Sequence, residues 1–374
     1  MNPLALLLEL AAASLRLRRP MLERAGSPRI LVIRRNRMGD MLSAVPLFHA
    51  LRRHHPKAYI GVACDPLGEP IAHSCEPVNE ITVLVPGWNP WQAAYRNAAA
   101  LQGFDWVIAA KGGFDRRLAV FARLTNAPVR IGFEPPGTGP SLYYTNPVPP
   151  PAEAHGEHQV DTLMRLLKPV GLVNPTALSV DLSLRVPEAS REFAAGLLAK
   201  PPFSEAKHYM LINFSSTVGL KFREEDFIAL TRRILGATPL AVGLVAAPMQ
   251  QQLVREIAMC MASKRIAAID TPGPMDLAAL MERALLVITP EGGAAHLAAS
   301  MGTPAVVLWS EGPFEKWRSR GKRHTYLIAE PGETLIPLER VWDALQPYLN
   351  TKDDGIDRML TDLLEEPPSL GTLS

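Results

Sequence analysis

Four segments of the chain combine reactive or anion-binding side chains with glycines, and each directly follows an apolar run that predicts a buried strand. In parallel α/β sheets, ligands bind beyond the carboxyl ends of the strands. The sequence therefore predicts ligand-contacting loops at four places: residues 34–40 (RRNRMGD), 111–113 (KGG), 213–221 (NFSSTVGLK) and 289–299 (TPEGGAAHLAA).

The first segment carries a carboxylate at the start of a predicted helix. Gly39 allows a tight turn, and Asp40 then falls in the first helical turn. Asp40 there either caps the helix, stabilised by the helix dipole, or acts as a general base at the mouth of a cleft. The three-glycine spacing of a dinucleotide-binding loop is missing from this segment.

The second segment places one cation beside two glycines. Lys111 could bind an anion, and Gly112 and Gly113 would let a ligand or another chain approach the backbone closely. The alternative is an ordinary loop with a lysine exposed to solvent.

The third segment is rich in hydroxyl groups and ends in a lysine. Ser216, Thr217 and Lys221 lie in a predicted strand-to-helix loop, where hydroxyls and a cation can hold a phosphate. The alternative is a serine that caps the following helix, with an exposed lysine beside it.

The fourth segment turns the chain on two glycines before an alanine-rich helix. The backbone N–H groups that follow Gly292 and Gly293 can bind a diphosphate. His296 falls in the first helical turn and either faces the same ligand or has a structural role. The histidines, cysteines and carboxylates show no metal-ligand spacing, so the sequence predicts no metal site.

The elements that must position these loops alternate between strand and helix in both halves of the chain. This alternation predicts two doubly wound parallel sheets and an α/β fold class. The predicted strands are residues 29–33, 59–63, 81–85, 104–109, 129–133, 209–214, 240–245, 266–269, 285–289 and 305–309. The predicted helices are residues 41–54, 118–124, 158–167, 224–235, 250–261, 275–284 and 294–301.

The length of 374 residues suits two domains better than one core. Residues 134–151 are rich in proline and glycine and predict a loop, and the helical periodicity weakens after residue 169. The predicted organisation is a helical segment at 1–26, a domain at 27–170, a linker at 171–207, a second domain at 208–348 and an amphipathic tail at 349–374.

The overall composition excludes several classes of protein. A hydrophobic content of 47% with 20% charged residues indicates a packed globular chain. The net charge of +2 argues against a nucleic-acid partner. Three widely spaced cysteines predict reduced thiols, with a Cys64–Cys75 disulfide as the alternative.

The two ends of the chain are amphipathic. Residues 3–17 are almost wholly apolar and are followed by arginines, which reverses the order of a secretory signal, and the run is too short to span a bilayer. This segment is either a helix packed on the protein or an interfacial helix that contacts anionic lipid. The tail predicts a surface helix, with a partner-binding helix as the alternative.

Five stretches in this order resemble glycosyltransferase family 9: ILVIRRNRMGDMLSAVPLFHALRRHHP, FDWVIAAKGG, VRIGF, SSTVGLKF and EGGAAHLAASMGTPAVVLW. The best-known members of this family are the ADP-heptose:lipopolysaccharide heptosyltransferases. The resemblance implies a GT-B fold of two facing Rossmann-like domains with parallel sheets. It assigns the acceptor to the N-terminal domain and the nucleotide-sugar donor to the C-terminal one.

The resemblance also implies roles for individual residues. The family's proposed base falls on Asp40, and its donor-phosphate contacts fall on Ser216, Thr217 and Lys221. The family's late motif, which contacts the donor, falls on Glu291, Gly292, Gly293 and His296.

Three positions depart from the family pattern. Glu291 replaces an aspartate and Gly292 replaces a hydroxyl residue, which points to a change in donor identity. Arg37 stands where the family often has a small polar residue. Its charge beside Asp40 would favour the ionised carboxylate or hold an anionic acceptor, and we expect Lys111 and Gly112 on the same acceptor side.

The resemblance implies an inverting glycosyltransferase that moves a heptose from ADP-heptose onto a lipopolysaccharide core acceptor, with Asp40 as base. We expect Asp40, Lys221 and residues 292–296 to face one cleft, because each follows a predicted strand. The expected partners are a nucleotide sugar, a glycolipid acceptor and the inner leaflet of the cytoplasmic membrane, with no cofactor and no nucleic acid. The expected location is the cytoplasm. The alternatives are a transferase that uses another nucleotide sugar and a non-catalytic protein that binds sugars or a membrane surface.

Overall fold

The computed structural model describes residues 27–35, 37–84, 97–98, 101–135, 142–152, 156–172, 180–215, 222–309, 312–330 and 333–349. The chain forms two compact units, the first comprising Met1–Arg185 with Glu315–Trp317 and the second comprising Val186–Phe314 with Arg318–Ser374. The division between Arg185 and Val186 falls inside the range 171–207 that the sequence analysis assigned to a linker.

The first unit is built on a six-stranded parallel sheet with the order β3-β2-β1-β4-β5-β6. Its strands are β1 Arg29–Arg34, β2 Tyr59–Cys64, β3 Glu80–Val83, β4 Trp106–Ala109, β5 Val129–Phe133 and β6 Asn146–Val148. The apolar runs of β1 and β2 are buried after their first residue, as both faces of a doubly wound sheet require.

Five α-helices are described in the first unit: α1 Met38–Leu42, α2 Val45–His54, α3 Glu69–His73, α4 Arg116–Leu124 and α5 Gln159–Met164. The single helix predicted over residues 41–54 is wrong, because the chain breaks between α1 and α2 at Ser43 and Ala44. Pro46 has no N–H to continue the first helix, and the Ser43 hydroxyl binds the Asp40 carbonyl at 2.7 Å instead.

The second unit repeats the same architecture with the sheet order β12-β11-β10-β7-β8-β9. Its strands are β7 Tyr209–Asn213, β8 Ala241–Val245, β9 Ile266–Ile269, β10 Leu286–Pro290, β11 Ala305–Trp309 and β12 His324–Ile328. Its helices are α6 Glu188–Leu198, α7 Glu224–Ala237, α8 Gln251–Cys260, α9 Pro274–Met281, α10 Gly293–Met301 and α12 Leu338–Leu349. A short helix, α11, spans Phe314–Trp317.

Several elements lie where the sequence analysis predicted none. β6 pairs with β5 inside the stretch predicted as loop, and Pro147 is tolerated there because β6 is an edge strand. α6 occupies the predicted linker and packs on α9, so this stretch is part of the second unit. β12 and α12 complete the second unit. The predicted segment 1–26 lies outside the described residues, as does the predicted tail 349–374 apart from Leu349, which ends α12.

Two further findings concern cysteines and membrane spans. Cys64 and Cys75 are buried free thiols, and Cys260 is an exposed one, as the spacing predicted. In the part of the chain that the structure describes, no helix is long and apolar enough to cross a bilayer.

Both sheets reverse their strand order at one point, between β1 and β4 in the first unit and between β7 and β10 in the second. At such a point the loops after the two central strands diverge to opposite faces of the sheet and leave a crevice. The four segments singled out in the sequence follow these four strands.

Candidate active site

A cavity of about 890 Å³ lies in the first unit, where the loops after β1 and β4 meet. The predicted residues Arg37, Asp40, Lys111 and Gly112 all line it. The charged residues of its wall are the cations Arg34, Arg35, Arg37, Lys111 and Lys316 and the carboxylates Asp40 and Asp65. This excess of positive charge favours an anionic ligand.

Arg34, the last residue of β1, joins the two central strands of the first sheet. Its side chain is only 1% exposed, and Nη1 donates to the Ala110 carbonyl beyond β4 at 2.9 Å. Nη2 donates to Asp40 Oδ1 and to Ser43 Oγ, both at 2.9 Å, and Nε donates to the Asp40 carbonyl at 2.7 Å. Burial lowers the pKa of Arg34 to about 10, against the opposing effect of Asp40, so the guanidinium stays charged at neutral pH.

Asp40 is both a helix cap and a wall residue of the cavity. Its Oδ2 accepts the Arg37 backbone N–H at 3.3 Å at the start of α1, and its Oδ1 accepts from Arg34. The side chain remains 18% exposed. The capping and cleft interpretations of the sequence are therefore compatible, because one carboxylate is fixed by two donors and still reaches the cavity.

Lys111 lies in a second charged pair at the cavity. Its Nζ donates to Asp115 Oδ2 at 2.6 Å, and Asp115 caps α4 by accepting the backbone N–H groups of Arg117 and Leu118 at 2.9 and 3.1 Å. Burial opposes ionisation of Asp115, but Lys111 and the two backbone donors outweigh it and lower its pKa. Lys111 is thus oriented by Asp115 rather than simply solvated.

Gly112 provides space for a buried side chain. A Cβ at this position would lie 2.4 Å from Oε1 and 2.8 Å from Nε2 of Gln159, the first residue of α5. Gln159 is 2% exposed and also lines the cavity. A side chain at position 112 would have to displace the Gln159 carboxamide, which packs directly on the backbone of the loop after β4.

In the second sheet, as in the first, a side-chain hydrogen bond joins the ends of the two central strands. Asn213 ends β7, and its Nδ2 donates to Thr289 Oγ1 of β10 at 2.9 Å. Its Oδ1 accepts the Ser215 backbone N–H at 3.0 Å. The Thr289 hydroxyl in turn donates to the Pro290 carbonyl at 2.8 Å. These buried groups tie the start of the hydroxyl-rich loop to the start of the loop that leads into α10.

The loop after β10 turns on glycine, as the sequence predicted. Gly292 has φ 132° and ψ −159°, a conformation that residues with a Cβ rarely adopt. Gly293 is the first residue of α10, and the N-cap position before it is Gly292, which has no side chain to cap the helix. Glu291 is anchored by its backbone N–H to the Leu308 carbonyl at 3.0 Å, and His296 is half-buried in the first turns of α10.

Three predicted donor contacts, Ser216, Thr217 and Lys221, lie outside the described residues. Among the residues that are described, no group of three or more His, Cys, Asp or Glu side chains could hold a metal ion.

Sequence reasoning assigned no individual role to three residues at these edges: Arg34, Gln159 and Asn213. Arg34 is one of three arginines in the first segment, and the available signal was that it extends the apolar run of β1 into the buried sheet. Asn213 likewise ends the buried run of β7. Gln159 carried no local signal, since its partner Gly112 is distant in the sequence.

The comparisons with known proteins decide the family. The sequence profile described as glycosyltransferase family 9 (heptosyltransferase) matches residues 95–335, more than half of the chain. The chain belongs to glycosyltransferase family 9. No curated protein matches it.

Solved structures of similar fold agree with this membership. A family 9 glycosyl transferase from Veillonella parvula DSM 2008 is 20% identical with a TM-score of 0.73, over 86% of this chain and 97% of that one. The E. coli ADP-heptose lipopolysaccharide heptosyltransferase II is 18% identical with a TM-score of 0.70, over 86% and 98%. The E. coli heptosyltransferase WaaC with ADP is 18% identical with a TM-score of 0.66, over 86% and 99%.

These structural neighbours confirm the α/β, GT-B fold class that the resemblance implied. Family membership also identifies the chain as a glycosyltransferase, in preference to the non-catalytic alternative. At these identities the structural likeness establishes the fold of this family 9 glycosyltransferase, and its substrates must be argued from its own residues.

Proposed function

We propose that this family 9 glycosyltransferase moves a heptose from ADP-heptose onto a sugar of the lipopolysaccharide core, with Asp40 as general base. The observation that carries the proposal is the Asp40 carboxylate, fixed by Arg34 and the Arg37 N–H in the wall of a basic cavity. The choice of donor is supported by the names of two similar structures, an ADP-heptose lipopolysaccharide heptosyltransferase and a heptosyltransferase with ADP.

The acceptor in this proposal is an anionic core sugar of a glycolipid. The cavity wall has five cationic side chains against two carboxylates, and all of them belong to the first unit. Arg37, Lys111 and Lys316 would attract an acid or phosphate group on the acceptor. The attraction would also raise the local concentration of the hydroxyl that Asp40 must deprotonate.

The proposed reaction is a single displacement. Asp40 takes the proton of an acceptor hydroxyl, whose oxygen forms a bond to the anomeric carbon of the donor sugar. The bond from that carbon to the diphosphate oxygen breaks on the opposite face, and the nucleoside diphosphate leaves with the electron pair. One displacement inverts the anomeric configuration.

The donor side of the proposal rests on the second unit. Ser216, Thr217 and Lys221 would meet the diphosphate, together with the backbone N–H groups at the start of α10. Gly293, Glu291 and His296 would contact the rest of the donor. We propose no metal or other cofactor, because a lysine and the positive end of a helix can supply the field that the leaving group needs.

A second donor is favoured by one observation. Gly292 stands where the family pattern has a hydroxyl residue, and its φ of 132° is not readily adopted by serine or threonine. With glycine at this turn, the site lacks the hydroxyl group that the family pattern supplies at this position. This difference supports a nucleotide sugar other than ADP-heptose as the alternative.

The site of action in this proposal is the inner face of the cytoplasmic membrane. The support is the sequence of residues 1–26, whose leucines and arginines suit an interfacial helix. A helix packed on the protein surface is the alternative. Deletion of residues 1–20 distinguishes them, because only the interfacial helix makes co-sedimentation with anionic vesicles depend on this segment.

The experiment that tests the proposed function is a nucleotide-sugar panel with two readouts. Thermal unfolding should be shifted upward by ADP-heptose more than by UDP- or GDP-sugars, since ligand binding to the native state stabilises it. ADP release should then require heptose-deficient lipopolysaccharide as the acceptor. A larger shift and turnover with another nucleotide sugar would replace the donor, and turnover with none of them would overturn the proposal.

A further inference from the structure

The Gln159 carboxamide is an unusual feature of the cavity in the first unit. Gln159 is 2% exposed, opens α5 and lines the cavity, and its Oε1 is buried without a hydrogen-bond partner among the described residues. The neighbouring His158 caps α5 through Nδ1, which accepts the Val160 N–H at 3.1 Å. The helix start therefore does not need the Gln159 side chain.

The polar groups around Gln159 differ from it in being paired. Asp40 is held by Arg34, Lys111 by Asp115, and Arg35 contacts Asp65 at 3.1 Å. A buried carbonyl without a donor disfavours the folded state, and an apolar side chain of the same size would avoid this cost. Position 159 thus carries a hydrogen-bond acceptor, Oε1, that does not stabilise the fold.

The chemistry of the cavity explains what an extra acceptor would do. Guanidinium and ammonium groups only donate hydrogen bonds, so they can hold the anionic group of a ligand but cannot accept from its hydroxyls. The Asp40 carboxylate is assigned to the reacting hydroxyl. A neutral carbonyl beside these cations can accept from a second hydroxyl without repelling the anion.

We propose that Gln159 is a specificity-determining residue whose Oε1 accepts a hydrogen bond from a non-reacting hydroxyl of the acceptor sugar. The inference rests on the proposed function, because it takes the cavity to be the acceptor site. The carboxamide reaches the bound hydroxyl by turning about its last side-chain bond, a torsion with a broad energy minimum. A site that pairs with a substrate hydroxyl discriminates strongly against sugars that lack it.

The position of the Gln159 carboxamide depends on Gly112, in the loop after β4. The Gln159 amide lies where the Gly112 Cβ would be, so a methyl group there must displace it. The adjacent Gly113 has nothing within 4 Å of its Cβ position, and neither glycine has a positive φ. The two glycines therefore form a matched pair of sites for the same added methyl.

The test uses the full chain, with deacylated heptose-deficient lipopolysaccharide as the acceptor probe. Gln159→Met should raise the KM for this probe about tenfold with a smaller change in kcat, while the thermal midpoint stays equal to or above that of the wild type. Gly112→Ala should also raise the KM for this probe, and by a larger factor than Gly113→Ala. In the double variant with Gln159→Met, Gly112→Ala should raise this KM little further.

Three outcomes would be decisive against this inference. An unchanged KM in Gln159→Met, with normal transfer by the wild type, overturns the role of Gln159 and leaves the proposed function standing. A lowered thermal midpoint with unchanged KM shows that Gln159 only supports the fold. A wild-type protein that neither binds nor glycosylates the probe overturns the acceptor assignment and this inference with it.

Discussion

The two sheets are bridged at equivalent points by different chemistry. In the first unit the charged Arg34 spans the ends of β1 and β4, whereas in the second unit the neutral Asn213 spans the ends of β7 and β10. Arg34 holds a carboxylate, and Asn213 holds the backbone and a hydroxyl. Two sheets of the same topology therefore differ at the carboxyl ends of their central strands: the first holds a fixed carboxylate there through Arg34, and Asn213 in the second holds none.

The starts of the helices α1 and α10, which follow Arg34 and Thr289 along the chain, also differ in whether they carry a carboxylate. In α1 the carboxylate of Asp40, the third residue of the helix, accepts the Arg37 N–H, whereas the residue before α10 is Gly292, which has no side chain to cap the helix. A carboxylate at a helix start uses the N–H groups and the positive end of the dipole for itself. Because Gly292 offers no capping side chain, the first N–H groups of α10 suit an anion from outside. The proposed function expects this difference, with the base at α1 and the leaving diphosphate at α10.

Removing the charged bridge should have the largest effect on stability. Arg34→Met would leave the Asp40 carboxylate and the Ala110 carbonyl without this donor, and we expect a loss of about 3–5 kcal/mol in the free energy of unfolding, measured in denaturant. Transfer activity should also fall, since Asp40 loses its orientation. Arg34→Lys is the control, because it keeps the charge but cannot reach all four acceptors. Full stability of Arg34→Met would mean that the bridge is dispensable.

Removing the neutral bridge should cost less stability and act on the donor. Asn213→Leu and Thr289→Val should each destabilise the chain by about 1–3 kcal/mol and raise the donor KM more than they lower kcat. The matched control is Thr231→Val, which removes a buried hydroxyl that donates to the Phe227 carbonyl at 2.7 Å within α7. If all three variants raise the donor KM equally, the effect is general loosening and the bridge has no specific role.

The smallest expected effect comes from the backbone turn before α10. Gly292→Ala should cost about 1–2 kcal/mol, because its φ of 132° is strained for alanine and nothing crowds its Cβ position. Gly302→Ala is the control, since Gly302 ends the same helix with φ 71°. Both should lower the thermal midpoint, but only Gly292→Ala should weaken donor binding. Equal donor binding by the two variants would place the diphosphate away from this turn.

Much of this comparison could be predicted from the sequence, because it depends on local patterns. The apolar runs predicted most of the strands, and Gly39 with Asp40 predicted a carboxylate at a helix start. Pro46 was a readable signal for the break between α1 and α2, which the helical periodicity concealed.

The bridges themselves could not be predicted, because each joins residues 76 positions apart in the sequence. Only strand order brings Arg34 to Ala110 and Asn213 to Thr289, and strand order is a property of the whole sheet. For the same reason the sequence does not show which of the arginines at positions 34, 35 and 37 contacts Asp40. It points to the charge of Arg37, whereas the guanidinium that binds the carboxylate belongs to Arg34. The donor roles of Ser216, Thr217 and Lys221 stay predictions.

The most direct test of the central claim compares Asp40→Asn with the wild type in donor binding and in transfer. Asparagine keeps the size of the side chain and an oxygen for the Arg37 N–H, but it cannot take up a proton as a carboxylate does. The Kd for ADP should stay within about twofold, while the transfer rate to heptose-deficient lipopolysaccharide should fall by about 10²–10⁴-fold. A transfer rate within about twofold of the wild type would contradict the account and leave Asp40 as a helix cap alone.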